Sequence, residues 1–148
     1  MNYKADEHTD VETGPDLAPM FALLEAARNV QGQFEAALDS IGLSPAKYQA
    51  LDALVKAGQP LALSELAGCL NCVRSNVTQL ADRLETDGLM ERVDDPTDRR
   101  AIRAVITPLG MEKHAAGAKV IRALQEKFAG KVSESDGMAF KRVLSALQ

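Results

Sequence analysis

The stretch Leu63–Gly110, LSELAGCLNCVRSNVTQLADRLETDGLMERVDDPTDRRAIRAVITPLG, carries the pattern that decides the fold. Its first part predicts a short helix over Ser64–Leu70, because apolar residues recur there at the spacing of one helical face. Asn71 follows this helix, and asparagine tolerates the left-handed backbone that ends helices. Leu70-Asn71-Cys72 is therefore predicted to be the turn of a helix-turn-helix.

A second helix is predicted from Val73 or Arg74 to Asp87, with Gly88 free to take the left-handed conformation that stops it. One face of this helix is apolar and predicted to be buried. The other face carries residue types that donate to phosphates and interact with base edges. They cluster toward the helix N-terminus, the end that a recognition helix presents to the major groove of DNA. The candidate DNA-binding residues of this helix are Arg74, Ser75, Asn76, Thr78, Gln79 and Arg83.

Beyond Gly88 the sequence changes to patterns typical of β-strands. Leu89–Val93 and Ala101–Ile106 are predicted to pair, with Leu61–Leu63 as a third short strand. The polar segment between the paired strands, Asp94–Arg100, is too long for a minimal hairpin and ends in the adjacent arginines Arg99 and Arg100. A wing of this shape can insert a guanidinium into the minor groove, where the narrow width concentrates negative potential.

Two motifs in this stretch give a family resemblance. The pattern D-R-L-E-x-x-G-L begins at Asp82 and D-P-x-D-R-R begins at Asp95, and in this order and spacing they resemble the MarR family of bacterial winged-helix regulators. The resemblance extends from about Leu17 to the C-terminus. It implies that Asp98 steadies the wing, with Arg83 as its candidate partner. It also implies that Arg99 or Arg100 contacts the minor groove.

The resemblance implies a mainly α fold with a small β-wing. We expect a flexible tail over residues 1–15 and a single domain over residues 16–148. Within that domain, residues 44–107 would form the winged helix-turn-helix, while residues 16–43 and 108–148 would form dimerisation helices. The long apolar stripes of the terminal helices are consistent with dimerisation, since one small domain cannot cover them alone. Ser44, Thr107 and Ser133 are predicted to cap helices, and Gly58 to end one.

The charge balance opposes nucleic-acid binding. The net charge of the chain is −4. Even the helix-turn-helix and wing contain more acidic than basic residues, so DNA binding requires the acidic side chains to face away from the duplex or to pair with arginines. Between residues 61 and 110 the arginines are Arg74, Arg83, Arg92, Arg99, Arg100 and Arg103, and the acidic residues are Glu65, Asp82, Glu85, Asp87, Glu91, Asp94, Asp95 and Asp98.

Other functional classes have less support. The sequence contains no Gly-rich phosphate loop and no His-Glu metal motif, so we expect neither an enzyme nor a metal or cofactor site. No run of about eighteen apolar residues is present, so we expect no membrane association and a cytoplasmic protein. The alternative to a DNA-binding regulator is a helix-turn-helix module that binds proteins without DNA.

Cys69 and Cys72 leave two interpretations open. Both could fill the helix-turn-helix corner as small apolar residues, or they could form a redox switch at the turn that orients the recognition helix. The expected function is accordingly that of a homodimeric transcriptional repressor, which binds a pseudo-palindromic operator in double-stranded DNA and is released by a small-molecule or oxidative signal. Two positions depart from the family pattern: Ala62 and Val73 stand where capping side chains are usual.

Tyr48 and His114 are two further candidates for ligand contacts. The ring of Tyr48 could line a ligand cavity, but the pattern favours a ring in the core with its hydroxyl at the surface. His114 is interpreted as a hydrogen-bonded polar residue near the domain junction rather than as a ligand-binding group.

Overall fold

The computed structural model describes residues 18–70 and 74–147. The chain forms two compact units that divide within the first helix, between Gln31 and Gly32. The described part of the first unit is the N-terminal portion of α1. The second unit holds the remainder of α1 and all later elements. In chain order the elements are α1 (Ala18–Asp39), α2 (Pro45–Ala57), β1 (Leu61–Ala62), α3 (Leu63–Cys69), α4 (Arg74–Thr86), β2 (Met90–Asp94), β3 (Ile102–Ile106), α5 (Pro108–Ala129) and α6 (Glu134–Ala146).

The three strands form one antiparallel sheet in the order β1-β3-β2. Met90 pairs with Ile106 at one end of the wing, and Asp94 pairs with Ile102 at the other. Leu61 pairs with Ala104, and both side chains are buried. The predicted fold class, mainly α with a small wing sheet that includes β1, is therefore confirmed.

Helix boundaries follow the local sequence signals. The hydroxyls of Ser44, Thr107 and Ser133 each accept a hydrogen bond from the backbone N–H three residues later, at 3.3, 3.0 and 3.2 Å, respectively. These bonds satisfy N–H groups that have no partner within the first turn. Gly58 and Gly88 have φ angles of 64° and 71°, the left-handed values that end helices without steric strain. The predicted caps and stops are confirmed.

The start of α3 differs in detail from the prediction. The helix begins at Leu63 rather than Ser64. Ala62 has no side-chain acceptor, but its backbone N–H donates to Glu65 Oε2 at 2.7 Å. Half of a capping box is therefore present despite the alanine. Val73, the second unusual cap position, lies outside the described residues, as do Asn71 and Cys72 of the predicted turn.

The core of the second unit lies where α2, α3 and α4 meet the wing sheet. Its largest fully buried side chains are Leu38, Leu51, Leu66, Val77, Leu84 and Met90. Helix α5 approaches this core through glycines: a Cβ at Gly117 would lie 2.5 Å from the Tyr48 ring, and one at Gly110 would lie 2.1 Å from the Leu89 carbonyl oxygen. The Thr107 hydroxyl also donates to the Gly88 carbonyl at 2.6 Å, which ties the start of α5 to the turn after α4.

Several apolar side chains are left exposed on the terminal helices. In α6, Met138 and Val143 are 69% and 55% exposed, and Leu147, just after the helix, is 63% exposed. Within the first unit, Phe21 of α1 is 60% exposed. Among the described residues, no helix combines the length and apolarity needed to cross a membrane.

Candidate nucleic-acid interface

Helix α4 presents three different faces, which follow from its helical period. Val77, Ala81 and Leu84 recur at spacings of four and three and are buried in the core. They hold the helix by its apolar face. The other two faces therefore decide what α4 can contact.

The outward face carries Asn76, Gln79 and Arg83, again at helical spacing, and all three side chains are exposed. Together with Ala46 and Gln49 of α2 they line an open groove. The structure thus brings three of the predicted DNA-binding residues onto one accessible surface. Exposed amide and guanidinium groups in this arrangement can donate to phosphates and base edges.

The other predicted residues of α4 are placed differently. Arg74 and Ser75 form the first turn of α4, but their side chains lie outside what the structure describes. Thr78 is exposed on the next face around the helix, beside the wing strand β2.

Arg92 of β2 forms ion pairs with this third face of α4. Its Nη2 lies 2.6 Å from Asp82 Oδ1, and its Nη1 lies 2.9 Å from Glu85 Oε2. The hydrogen bond with Asp82, together with the charge of both carboxylates, raises the pKa of Arg92. Sequence analysis missed this role, although a basic residue seven to ten positions after the two acids was visible in the sequence.

The turn of the wing is organised by Asp95, which is only 6% exposed. Its Oδ1 accepts hydrogen bonds from the Thr97 hydroxyl at 2.6 Å, the Thr97 N–H at 2.7 Å and the Asp98 N–H at 3.2 Å. Its other oxygen accepts from Arg103 Nε. The hydrogen bonds from Thr97 and Arg103 hold the pKa of Asp95 well below its usual range.

The predicted role of Asp98 is therefore corrected in favour of Asp95. Asp98 is exposed, and its Oδ1 accepts only a local hydrogen bond, from the Arg100 N–H at 2.9 Å. No ion pair joins Asp98 to Arg83 in the parts of the chain that the structure describes. The reason is register: β3 sets Arg103 opposite Val93, within reach of Asp95 two residues further along, whereas Asp98 lies in the middle of the turn.

Half of the acidic residues between residues 61 and 110 form ion pairs within the fold. Arg92 pairs with Asp82 and Glu85, Arg103 pairs with Asp95, and Lys47 of α2 pairs with Asp87 at 2.5 Å. Among the arginines between residues 76 and 110, Arg83, Arg99 and Arg100 are exposed and take part in none of these ion pairs. The condition that the acidic residues pair with cations is met for four of the eight.

Polar side chains at the contact between α2 and α5 have hydrogen-bond partners within the fold. The rings of Tyr48 and His114 stack with centroids 5.4 Å apart, and His114 Nε2 lies 3.0 Å from Asp52 Oδ1. Desolvation opposes ionisation of Asp52, but hydrogen bonds from Lys56 and His114 hold its pKa below the usual value. Burial raises the pKa of the Tyr48 hydroxyl. His114 thus has the hydrogen-bonded role that the sequence suggested.

The interpretation of both cysteines as core residues is wrong for Cys69, which is exposed at the end of α3. Its helix buries Leu66 and Ala67 instead, and Cys69 is left exposed in the last turn. Cys72 lies outside the described residues. Within the described segments, no group of three or more His, Cys, Asp or Glu side chains is arranged to hold a metal ion.

Comparison with known sequences relates part of this chain to transcriptional regulators. Residues 41–101 match the profile of the MarR family. The uncharacterized HTH-type transcriptional regulator YcgE of Bacillus subtilis is 40% identical over 79 residues, which cover 53% of this chain and 49% of YcgE. The HTH-type transcriptional repressor MdtR of Bacillus subtilis is 34% identical over 99 residues, covering 65% of this chain and 63% of MdtR. The chain spans about half the length of curated relatives such as YcgE.

Solved structures share the fold over nearly the whole chain. The transcriptional repressor CouR, in a structure bound to a 23-mer DNA duplex, superposes with a TM-score of 0.77 at 24% identity, covering 90% of this chain and 95% of CouR. At that identity the likeness shows a common winged-helix fold. The sequence relatives are named as transcriptional regulators and not as enzymes.

Proposed function

Since the chain is a winged-helix protein of the MarR family, we propose that it binds double-stranded DNA in a sequence-specific manner and regulates transcription. Helix α4 is the recognition helix of this proposal and enters the major groove. Asn76, Gln79 and Arg83 face the bases or phosphates there, and Arg74 and Ser75 of the first turn contribute further contacts. Thr78, exposed on the adjacent face, contacts the DNA backbone beside them. Arg99 and Arg100 approach the adjacent minor groove.

The main observation that supports this proposal is the difference between arginines that form ion pairs within the fold and arginines that do not. Arg92 and Arg103 are held by carboxylates within the fold, whereas Arg83, Arg99 and Arg100 are exposed and take part in none of the ion pairs among the described residues. Electrostatic attraction to phosphates depends on the charge of the contacting face rather than on the net charge of the chain. An acidic protein can therefore present a basic surface on α4 and the wing.

The names of the relatives favour a repressor. MdtR is a repressor, and CouR is a repressor solved with a DNA duplex. By analogy with them, this chain would act on chromosomal DNA, and hence in the cytoplasm. It would lower transcription by occupying an operator.

A homodimer is the proposed binding form. The exposed apolar side chains of α6 and of the N-terminal unit favour burial against a second copy. A two-fold dimer would place two recognition helices in successive major grooves of a pseudo-palindromic operator, with half-site centres about 34–36 Å apart.

A small-molecule or oxidative signal would release the operator by changing the distance between the two recognition helices. Cys69 is the oxidation candidate within the described residues, because its thiol is exposed. Diamide followed by dithiothreitol tests this directly when Cys69→Ser and Cys72→Ser are compared with the wild type. If diamide does not change operator affinity, the oxidative signal is excluded and the small-molecule signal remains.

Selection of bound fragments from genomic DNA tests the function as a whole. The expected result is enrichment of a short, pseudo-palindromic sequence upstream of a gene. Fluorescence anisotropy with that fragment and with a scrambled duplex then gives the specificity ratio. Absence of enrichment, together with equal weak affinity for both duplexes, would favour the alternative of a protein-interaction module.

A further inference from the structure

The side chain of Arg92 in β2 contacts α4 at Thr78, Asp82 and Glu85. Besides its ion pairs with Asp82 at 2.6 Å and Glu85 at 2.9 Å, its Nη2 lies 3.4 Å from the Thr78 carbonyl oxygen. Its own backbone N–H donates to Glu85 Oε1 at 3.3 Å. One residue of β2 therefore contacts three successive positions along one face of α4.

The geometry of these contacts restricts rotation of α4 about its own axis. Asp82 and Glu85 are three residues apart and so lie on neighbouring turns of the same face. The planar guanidinium uses two different nitrogens for the two carboxylates, and a planar fork fixes orientation in a way that a lysine ammonium does not. The core anchors the adjacent face through Val77 and Ala81.

The outward face depends on this orientation. Gln79 and Arg83 each lie one residue after a position that Arg92 contacts, Thr78 and Asp82, respectively. A rotation of α4 that moves the face bound by Arg92 therefore also moves the candidate recognition face. A shift of about 1 Å at a recognition surface is enough to misalign hydrogen bonds with base edges.

We infer that Arg92 is a positioning residue for DNA recognition, which holds α4 through Asp82 and Glu85 so that Gln79 and Arg83 meet the correct bases. This inference rests on the proposed function. Arg92 does not itself contact DNA in this scheme. Its side chain is 22% exposed, and both of its terminal nitrogens are occupied by carboxylates of α4.

The test measures the ratio of affinities for the selected operator and for a scrambled duplex of the same composition, in the full-length protein. Arg92→Gln is expected to lower this ratio by about tenfold, because misaligned base contacts reduce specific binding only. Loss of a direct phosphate contact would instead weaken binding to both duplexes equally and reduce the salt slope by about one. Fold stability alone does not move the ratio when each variant is measured well below its melting temperature.

Removing the two acidic partners gives the decisive second variant. Asp82→Asn/Glu85→Gln keeps Arg92 but leaves it without carboxylate partners, and it makes the surface more positive. The positioning role predicts stronger binding to scrambled DNA together with a reduced specificity ratio. Adding Arg92→Gln to this variant should reduce the ratio no further, since the same contacts are already lost.

Glu91→Gln is the matched control, because Glu91 is an exposed carboxylate on the same strand and outside these contacts. It should strengthen binding to both duplexes slightly and leave the ratio unchanged. Wild-type ratios in both Arg92→Gln and Asp82→Asn/Glu85→Gln would overturn the positioning role while leaving DNA binding intact. Failure of the wild-type protein to distinguish any duplex would overturn the proposed function and this inference with it.

Discussion

Arg103 Nε donates a hydrogen bond to the carboxylate of Asp95, so β3, the central strand of the sheet, holds the base of the wing turn. Arg103 Nη1 also donates to the Pro60 carbonyl at 3.0 Å, just before β1. One guanidinium thus links the wing turn to the strand on the opposite edge of β3. Arg99 and Arg100 extend from the turn that this contact supports.

Acid should remove the contribution of Asp95 to stability. The folded-state pKa of Asp95 lies below its unfolded value, which is about 3.9, so the stabilisation is complete above that pH and is lost as the pH falls toward the folded pKa. Asp95→Asn should therefore lower the free energy of unfolding at pH 7. The difference from the wild type should shrink below about pH 4.

Urea unfolding at a series of pH values checks this expectation. Asp94→Asn serves as the control, because Asp94 is the neighbouring exposed aspartate, and it should change stability little at any pH. A stability difference between wild type and Asp95→Asn that stays constant from pH 7 to pH 3 would contradict the assignment.

Gly117 is required by the packing of α5 against α2. A Cβ there would lie 2.5 Å from the Tyr48 ring, which stacks on His114 and is not free to move away. Gly117→Ala should therefore destabilise the protein by about 1–3 kcal/mol, the usual range for overpacking. Gly32→Ala, where nothing lies within 4 Å, should instead stabilise its helix by roughly 0.5–1 kcal/mol. Thermal unfolding of the two variants should show shifts of opposite sign.

The sequence predicted features that depend on near neighbours. The caps at Ser44, Thr107 and Ser133 and the stop at Gly88 each involve residues within one helical turn, so the order of residues was sufficient to find them. The strands of the wing were also predicted, because the alternation of apolar and polar residues indicates which side chains lie on the same face of a sheet.

Pairings across the fold could not be predicted in the same way. Choosing Asp95 over Asp98 requires the register of β2 on β3, which sets Arg103 beside one aspartate and not the other. The exposure of Cys69 depends on how α3 is rotated against its neighbours. Arg92 was counted among the cations of the DNA-binding stretch, but its use within the fold follows only from the approach of β2 to α4.

The arginines of the wing should separate by function when replaced. Arg99→Ala and Arg100→Ala should weaken DNA binding and reduce its salt dependence, with no loss of stability, since both side chains are exposed. Arg103→Ala should destabilise the wing, because it leaves Asp95 without its cation. Anisotropy titrations at several salt concentrations, paired with urea unfolding, distinguish the two classes. Equal loss of stability in all three variants would refute the division.

The exposed face of α6 should be needed for dimerisation. Val143→Asp places a charge on a side chain that is 55% exposed, so the fold of a protomer should tolerate it while burial against a second copy becomes unfavourable. Light scattering should report a lower mass at concentrations where the wild type is dimeric. Ser145→Asp, an exposed position two residues further along the same helix, should leave the mass unchanged. A dimer of unchanged stability in Val143→Asp would exclude this face.

Sequence discrimination by the outward face of α4 is the central claim, and the operator specificity ratio of Gln79→Ala tests it most directly. Gln79 is exposed and lines the same groove as Asn76 and Arg83. The wild type should prefer its selected operator over scrambled DNA by about a thousandfold or more. Gln79→Ala should lower this ratio by about tenfold without changing affinity for the scrambled duplex. A ratio in Gln79→Ala equal to that of the wild type, with both proteins folded and bound, would contradict the assignment of this face to base recognition.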